Sequence, residues 1–162
     1  MLRHLEKKDA PMMLEWMHDN EINCNFQIDF ASSTLESVLC FIDGSYDDEN
    51  QNFAFVDEKD EYLGTISLKH ISHKNRNAEY SIVARKKAQG TGAAMQATQE
   101  LLKYAFEELK LHKVYLNVLA DNVRAQRLYE KSGFVYEGTS PDAVMINGVY
   151  RTLKWYGIIA KS

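Results

Sequence analysis

The segment Arg85-Lys-Lys-Ala-Gln-Gly-Thr-Gly92 sets three basic side chains beside two glycines one residue apart. It follows a strand-like run, Ala78 to Ala84, and precedes a helical pattern that begins near Gly92. Glycine lets the backbone come close to a bound group, the N–H groups of a first helical turn lack intrahelical acceptors, and the helix dipole favours negative charge there. A loop of this kind can hold a phosphate-bearing cofactor. Gly-x-Gly alone fits equally well a plain strand-to-helix turn with a solvated basic run. Two familiar phosphate loops fail on spacing. No G-x-x-x-x-G-K-[ST] string occurs, and Gly90-Thr-Gly-Ala-Ala-Met95 has Met95 where the dinucleotide fingerprint needs its third glycine. His70 and His73 are three residues apart but lack a third ligand, so no metal is expected. Cys24 and Cys40 form no C-x-x-C pair and read as buried thiols.

The surrounding elements must present this loop. A short strand is expected over Leu2 to Leu5, then a helix capped by Asp9 with Pro11 in its first turn, and a second helix after Ser33 carrying Leu35, Val38, Leu39 and Ile42. Phe53 to Val56 and Tyr62 to Leu68 flank the polar turn at 57–60, and Ala78 to Ala84 makes a third strand. Helical periodicity over Gly92 to Leu109 precedes a strand at Val114 to Leu119 and a helix at Asn122 to Lys131, with Gly133 as its stop. Two last strands, Phe134 to Tyr136 and Val149 to Tyr156, complete a mixed α/β (α+β) sheet of about six to seven strands with about four helices. The 162 residues imply one domain over 1–162, and 45% hydrophobic with 26% charged residues fits a globular chain. A net charge of -4 argues against a nucleic-acid partner. The longest apolar run, Val38 to Ile42, is far short of the ~18 residues of a membrane span, and the N-terminus is too charged for a signal peptide. A cytoplasmic protein without a membrane partner is expected.

Lys87-Ala-Gln-Gly-Thr-Gly92 resembles the [R/Q]-x-x-G-x-[G/A] loop of the GNAT superfamily of acetyl-CoA-dependent N-acetyltransferases, with lysine at the first position. Asn122-Val-Arg-Ala-Gln-Arg-Leu-Tyr-Glu-Lys-Ser-Gly-Phe134 is similar to the family's N-x-x-A-x-x-[LF]-Y-x-K-x-G-F segment, and Ala78-Glu-Tyr80 to the A-E-[IYL] that opens its central strand. The resemblance implies a splayed parallel pair, 78–84 and 114–119, and transfer of an acetyl group from acetyl-CoA directly to a primary amine. It implies that the pantetheine arm pairs with main-chain groups of Ile82 and Val83. The pyrophosphate would sit on the amides of Gln89, Gly90, Thr91, Gly92 and Ala93, with Lys87, Arg85 or Lys131 supplying charge and Asn122 capping its helix beside the cofactor.

An amine with a pKa near 10.4 is neutral in only about one molecule in a few thousand at pH 7, a handicap of roughly 4–5 kcal/mol that a placed base relieves. Glu79 is the candidate relay, although a plain strand carboxylate is equally consistent with its position. Tyr129 is the candidate proton donor to the leaving thiolate. Trp16, His18, Phe26, Phe30 and His70 are the candidates for the acceptor pocket. The first helix and Asn147-Gly-Val-Tyr150 resemble the subgroup of ribosomal-protein and sugar-nucleotide amine acetyltransferases. Ser140-Pro141 and Thr152 stand where many members carry an Arg and an Asp, so a compact amine such as an amino sugar nucleotide is favoured over a protein α-amine. A polyamine, an amino acid or an antibiotic completes the acceptor options, and a homodimer is an open expectation. A non-catalytic acyl-CoA-binding module and a Rossmann-like nucleotide binder are the rival classes.

Overall fold

Runs rich in β-branched and aromatic residues form an antiparallel meander of β2 (Gln51–Val56), β3 (Tyr62–Ser72) and β4 (Asn77–Ala84). The computed structural model describes residues 1–161. On one side β1 (Leu2–His4) pairs with β2; on the other lie β5 (Lys113–Leu119), β7 (Val149–Ile159) and β6 (Val135–Ile146). The seven strands run in the order β1-β2-β3-β4-β5-β7-β6, every neighbouring pair antiparallel except β4 and β5.

That one parallel pair shapes the molecule. β4 and β5 share only the register pairs Asn77↔Lys113, Ala78↔Val114 and Glu79↔Tyr115. Past Glu79, β4 stays paired with β3 as far as Ala84 and β5 stays paired with β7 as far as Leu119, but the two strands part from each other. The expected splay is present, and it opens a gap inside the sheet.

Alternate residues serve opposite faces, as a two-residue period requires. Ala54, Val56 and Tyr62 pack beneath α1 (Ala10–Met17) and α3 (Leu35–Asp43) with Met13, Trp16, Val38 and Ile42. Phe53, Phe55, Ile66, Leu68 and Tyr80 pack under α4 (Ala93–Lys103) and α5 (Val123–Lys131) with Ala97, Leu101 and Tyr129. α3 begins with a reciprocal cap: the Ser37 amide donates to Thr34 Oγ1 at 3.1 Å and the Thr34 amide to Ser37 Oγ at 2.9 Å.

Several expectations need correction. Asp9 stands before α1 without capping it, because its fully buried carboxylate takes two hydrogen bonds from Arg3, at 2.7 and 2.8 Å, and one from the Glu6 amide at 2.8 Å. A short helix, α2 (Asn20–Asn23), and a 3₁₀ turn at Phe30–Ser32 lie where the sequence suggested no element. The helix expected to reach Leu109 is α-helical only to Lys103 and widens into a π turn over Tyr104–Glu108. β6 runs ten residues beyond Tyr136. Neither thiol is buried: Cys24 is half-buried, and Cys40 is exposed because it sits two residues from both Val38 and Ile42, on the outer side of α3. Among the described residues no helix is long and apolar enough to cross a membrane.

Candidate active site

The splay opens into a cleft of about 1380 Å³ that runs from the glycine loop, across the gap between β4 and β5, to the segment after α1. Its cofactor end is built by backbone geometry. Gly90 and Gly92 have φ of +78° and +85°, a region that side chains with a Cβ rarely adopt. Within the loop the amides of Gln89, Thr91 and Ala93 are already used, by Lys86 O, Ala88 O and Thr91 Oγ1 at 3.2, 3.3 and 3.3 Å. Among the described residues the amides of Gly90, Gly92, Ala94 and Met95 have no partner, and all four residues line the cleft. Four amide donors without acceptors at a helix start have the form of an anion cradle. Its membership shifts: Thr91 and Ala93 do not line the cleft, and Ala94 and Met95 replace them.

The charge near this cradle is also redistributed. Lys87 pairs with Glu61, and Arg85 with Glu15 at 2.8 Å and Glu61 at 3.4 Å, so both serve the packing of the loop on α1 and β3 rather than the cleft. Hydrogen bonding to Glu15 raises the Arg85 pKa further. Lys131 lines the cleft as expected, together with Arg124 and Arg127, which sequence reasoning missed. Arg124 Nη1 donates to Gln89 Oε1 at 2.9 Å, tying the start of α5 to the loop. The basic residues recur at three- and four-residue spacing, 124, 127 and 131, on one face of α5, and that period was the available signal. Asn122 both caps α5, accepting from the Ala125 amide at 3.3 Å, and lines the cleft. Ile82 and Val83 lie on the free side of the splay.

Glu79 and Tyr129 meet this cleft from opposite faces of β4. Glu79 is the last β4 residue paired with β5, and its side chain makes no ion pair among the described residues. Its neighbour across the strand, Tyr115, has its pKa raised by burial and by the Glu79 charge. Tyr129 projects from α5 and packs edge-on against Tyr80, with ring centroids 5.7 Å apart. Burial raises its pKa well above the ordinary tyrosine value. Its hydroxyl makes no hydrogen bond among the described residues, and the residue lines the cleft.

The acceptor end has an aromatic wall and a polar floor. Trp16, Phe26 and Phe30 form a trio with centroids 4.9 to 6.3 Å apart, and all three line the cleft. His18 does not. It is exposed, and its Nε2 donates to the Ser33 carbonyl at 2.7 Å, closing the base of the 19–33 segment. His70 also lies away, at a β-bulge with φ of +52°, on the rim where its amide donates to Asn50 Oδ1 at 3.2 Å. The floor, missed from sequence, comprises Asn52, Thr65, Ser67, Lys69 and Ser81. Polar residues at every second position, 65, 67 and 69 against 79 and 81, were its signature. Among the described residues no three His, Cys, Asp or Glu side chains converge as a metal site.

A mixed sheet opened at one parallel pair, with a cradle of free amides at the mouth of the opening, defines an acyltransferase that takes its acyl group from a coenzyme A thioester. Residues 1–135 match the acetyltransferase (GNAT) domain family, and the chain belongs to that family of acetyl-CoA-dependent N-acetyltransferases. It is 32% identical over 157 residues to the spermidine N(1)-acetyltransferase of Vibrio cholerae, covering 94% of this chain and 88% of that protein. YdaF of Bacillus subtilis, assigned provisionally as a ribosomal N-acetyltransferase, is 28% identical over 166 residues, covering 99% of this chain and 91% of its own. The crystal structure of the Vibrio cholerae spermidine N-acetyltransferase with CoA and spermine superposes with a TM-score of 0.89 at 29% identity, over 98% of this chain and 94% of that one.

Proposed function

We propose that the enzyme acetylates the primary amine of a small polyhydroxylated molecule of the amino-sugar type, with Glu79 and Tyr129 moving the protons. One observation carries this choice of acceptor. The acceptor end pairs aromatic faces with hydroxyl and amide side chains and one lysine, Lys69, and of its two carboxylates, Glu21 and Glu79, Glu21 is held by Lys86 at 2.8 Å. Aromatic faces suit the C–H surface of a sugar ring, and neutral hydroxyl and amide groups suit its hydroxyls. A polyamine needs a carboxylate for each distal ammonium, and Glu79 alone remains for the attacking nitrogen. The similarity to spermidine enzymes supports the polyamine as the second reading.

Acetyl-CoA supplies the acetyl group as a thioester. The amides of Gly90, Gly92, Ala94 and Met95, with Lys131, Arg124 and Arg127, hold its pyrophosphate, and the free edge of Ile82 and Val83 orients the arm. Glu79 accepts a proton from the acceptor ammonium, directly or through water, so that the neutral amine can attack. Tyr129 donates its hydroxyl proton to the departing sulfur. Its buried ring keeps that proton bound at neutral pH. A CoA-release assay tests the reading with glucosamine, a sugar nucleotide bearing a primary amine, spermidine and a peptide with a free N-terminus. Turnover of the amino sugars is expected to exceed the others. Exclusive turnover of spermidine would replace this acceptor with a polyamine, and exclusive turnover of the peptide would replace it with a protein α-amine.

A further inference from the structure

Buried hydroxyls in a strand interior usually bond back to the protein and carry no message outward. On the acceptor floor they do, because the protons of two of them have fixed directions. Thr65, Ser67 and Asn52 are each under a tenth exposed and line the cleft. The indole N–H of Trp16 can only donate, and it donates to Tyr62 Oη at 3.0 Å. Tyr62 is fully buried, so its own proton must find an acceptor inside the protein, and Thr65 Oγ1 at 2.6 Å is the one in reach. Thr65 therefore accepts from Tyr62, and its own proton is left for the cleft.

Two residues along the same face of β3 the polarity is reversed. The amide nitrogen of Asn52 donates to the Ser45 carbonyl at 2.9 Å, which turns Asn52 Oδ1 toward Ser67. Ser67 gives that oxygen its proton at 2.5 Å and keeps a lone pair for the cleft. The cleft thus meets a donor and an acceptor on residues whose backbone positions are about 6.6 Å apart along the strand. In register Ser67 stands opposite Ser81 and diagonal to Glu79, so the acceptor lies on the side where the amine loses its proton.

We infer that Thr65 and Ser67 select acceptors that carry an oxygen on a carbon next to the amine-bearing one: Ser67 takes the amine N–H, and Thr65 donates to the oxygen. This rests on the acetyl-transfer reading above. With hydrogen bonds of about 2.8 Å at each end, the spacing spans an amine and a vicinal hydroxyl or ether oxygen. The two contacts turn the nitrogen lone pair away from Ser67 and toward the thioester side of the gap.

The test compares trans-2-aminocyclohexanol with cyclohexylamine, which lacks the hydroxyl, in the wild type, Thr65→Val and Thr65→Ser. The two amines differ in basicity, but that difference is common to the three proteins and cancels when ratios of kcat/KM are compared. Thr65→Val is expected to lower the preference for the hydroxylated amine about tenfold, the size of one lost hydrogen bond, mainly through the amine KM. Thr65→Ser restores it, and the acetyl-CoA KM stays unchanged in both. Thr65→Ala serves if valine is poorly accommodated, with the same expected loss of preference. An unchanged ratio in Thr65→Val or Thr65→Ala, with both amines turned over, overturns the inference and leaves the acetyltransferase reading intact. No turnover of any amine by the wild type overturns both.

Discussion

Replacing Tyr129 by Phe removes one oxygen and, on the geometry described, nothing else. The ring is 8% exposed and packs against Tyr80 and Phe134 at centroid distances of 5.7 and 6.1 Å, contacts that phenylalanine keeps. The hydroxyl has no hydrogen bond among the described residues to lose, so stability should change by no more than about 0.5 kcal/mol. The chemical step has more at stake. A thiolate of ordinary basicity leaves more readily when protonated as it departs, and loss of such assistance costs on the order of 10²-fold, about 2.7 kcal/mol in barrier height. The assay is single-turnover acetyl transfer at saturating acetyl-CoA and a verified acceptor, run beside thermal melts of both proteins. A fall of about 10²-fold with an unmoved Tm is expected. Equal single-turnover rates would remove Tyr129 from the proton inventory and leave it a packing residue.

Glu79→Gln should slow transfer most at low pH, where neutral amine is scarcest, with acetyl-CoA binding unchanged; an unaltered pH–rate profile would make Glu79 a structural carboxylate. Gly90→Val forces a β-branched residue into a φ of +78° and should disturb the free amides without unfolding the domain. Acetyl-CoA at a hundred times its wild-type Kd adds about 2.7 kcal/mol to the wild type, and a melt should show that gain largely lost in the variant. Asp9→Ala leaves the half-buried Arg3 guanidinium without its main partner and should cost about 3–5 kcal/mol in denaturant titration; a loss under 1 kcal/mol would show that the remaining pairs with Asp60 and Glu6 suffice. Burial raises the pKa of Tyr62, Tyr80 and Tyr129 above the value near 10 of the unfolded chain. Above about pH 10 the unfolded chain therefore holds fewer protons than the fold, and stability should fall by about 1.4 kcal/mol per pH unit per tyrosine. Urea midpoints that stay flat from pH 9 to pH 11 would contradict this.

Strands that face a core on both sides were legible from residue type, which is why β3, β4 and β5 lie within a few residues of where Tyr62, Ala78 and Val114 suggested. β6 was not, because most of it is exposed and its register breaks at Tyr136/Gly138 and Ser140/Val144, erasing the alternation that marks a strand. The loop glycines, Glu79 and Tyr129 were singled out by their match to the family's motifs, and the fold brings them to one cleft. Which amides stay free was not legible, since it depends on Thr91 folding its hydroxyl back onto Ala88 O at 2.6 Å. His18 and His70 were chosen for their side-chain chemistry, yet backbone geometry decides where they point. Lys87 was chosen for its charge, and Glu61 claims it.

The splay between β4 and β5 creates a sheet edge in the interior of a molecule, where edges are otherwise found at its rim. An inhibitor built as a strand mimic could dock there through main-chain pairing alone. Every residue except proline offers the same N–H and C=O, so substitution of Tyr80 to Ala84 would change the side chains around such a compound but not the groups that grip it. Proline would abolish the grip and, on the binding mode proposed above, would take the same amide from acetyl-CoA. On that binding mode, resistance by point mutation along this edge is coupled to loss of the cosubstrate, a coupling absent for a compound held by the side chains of the acceptor wall.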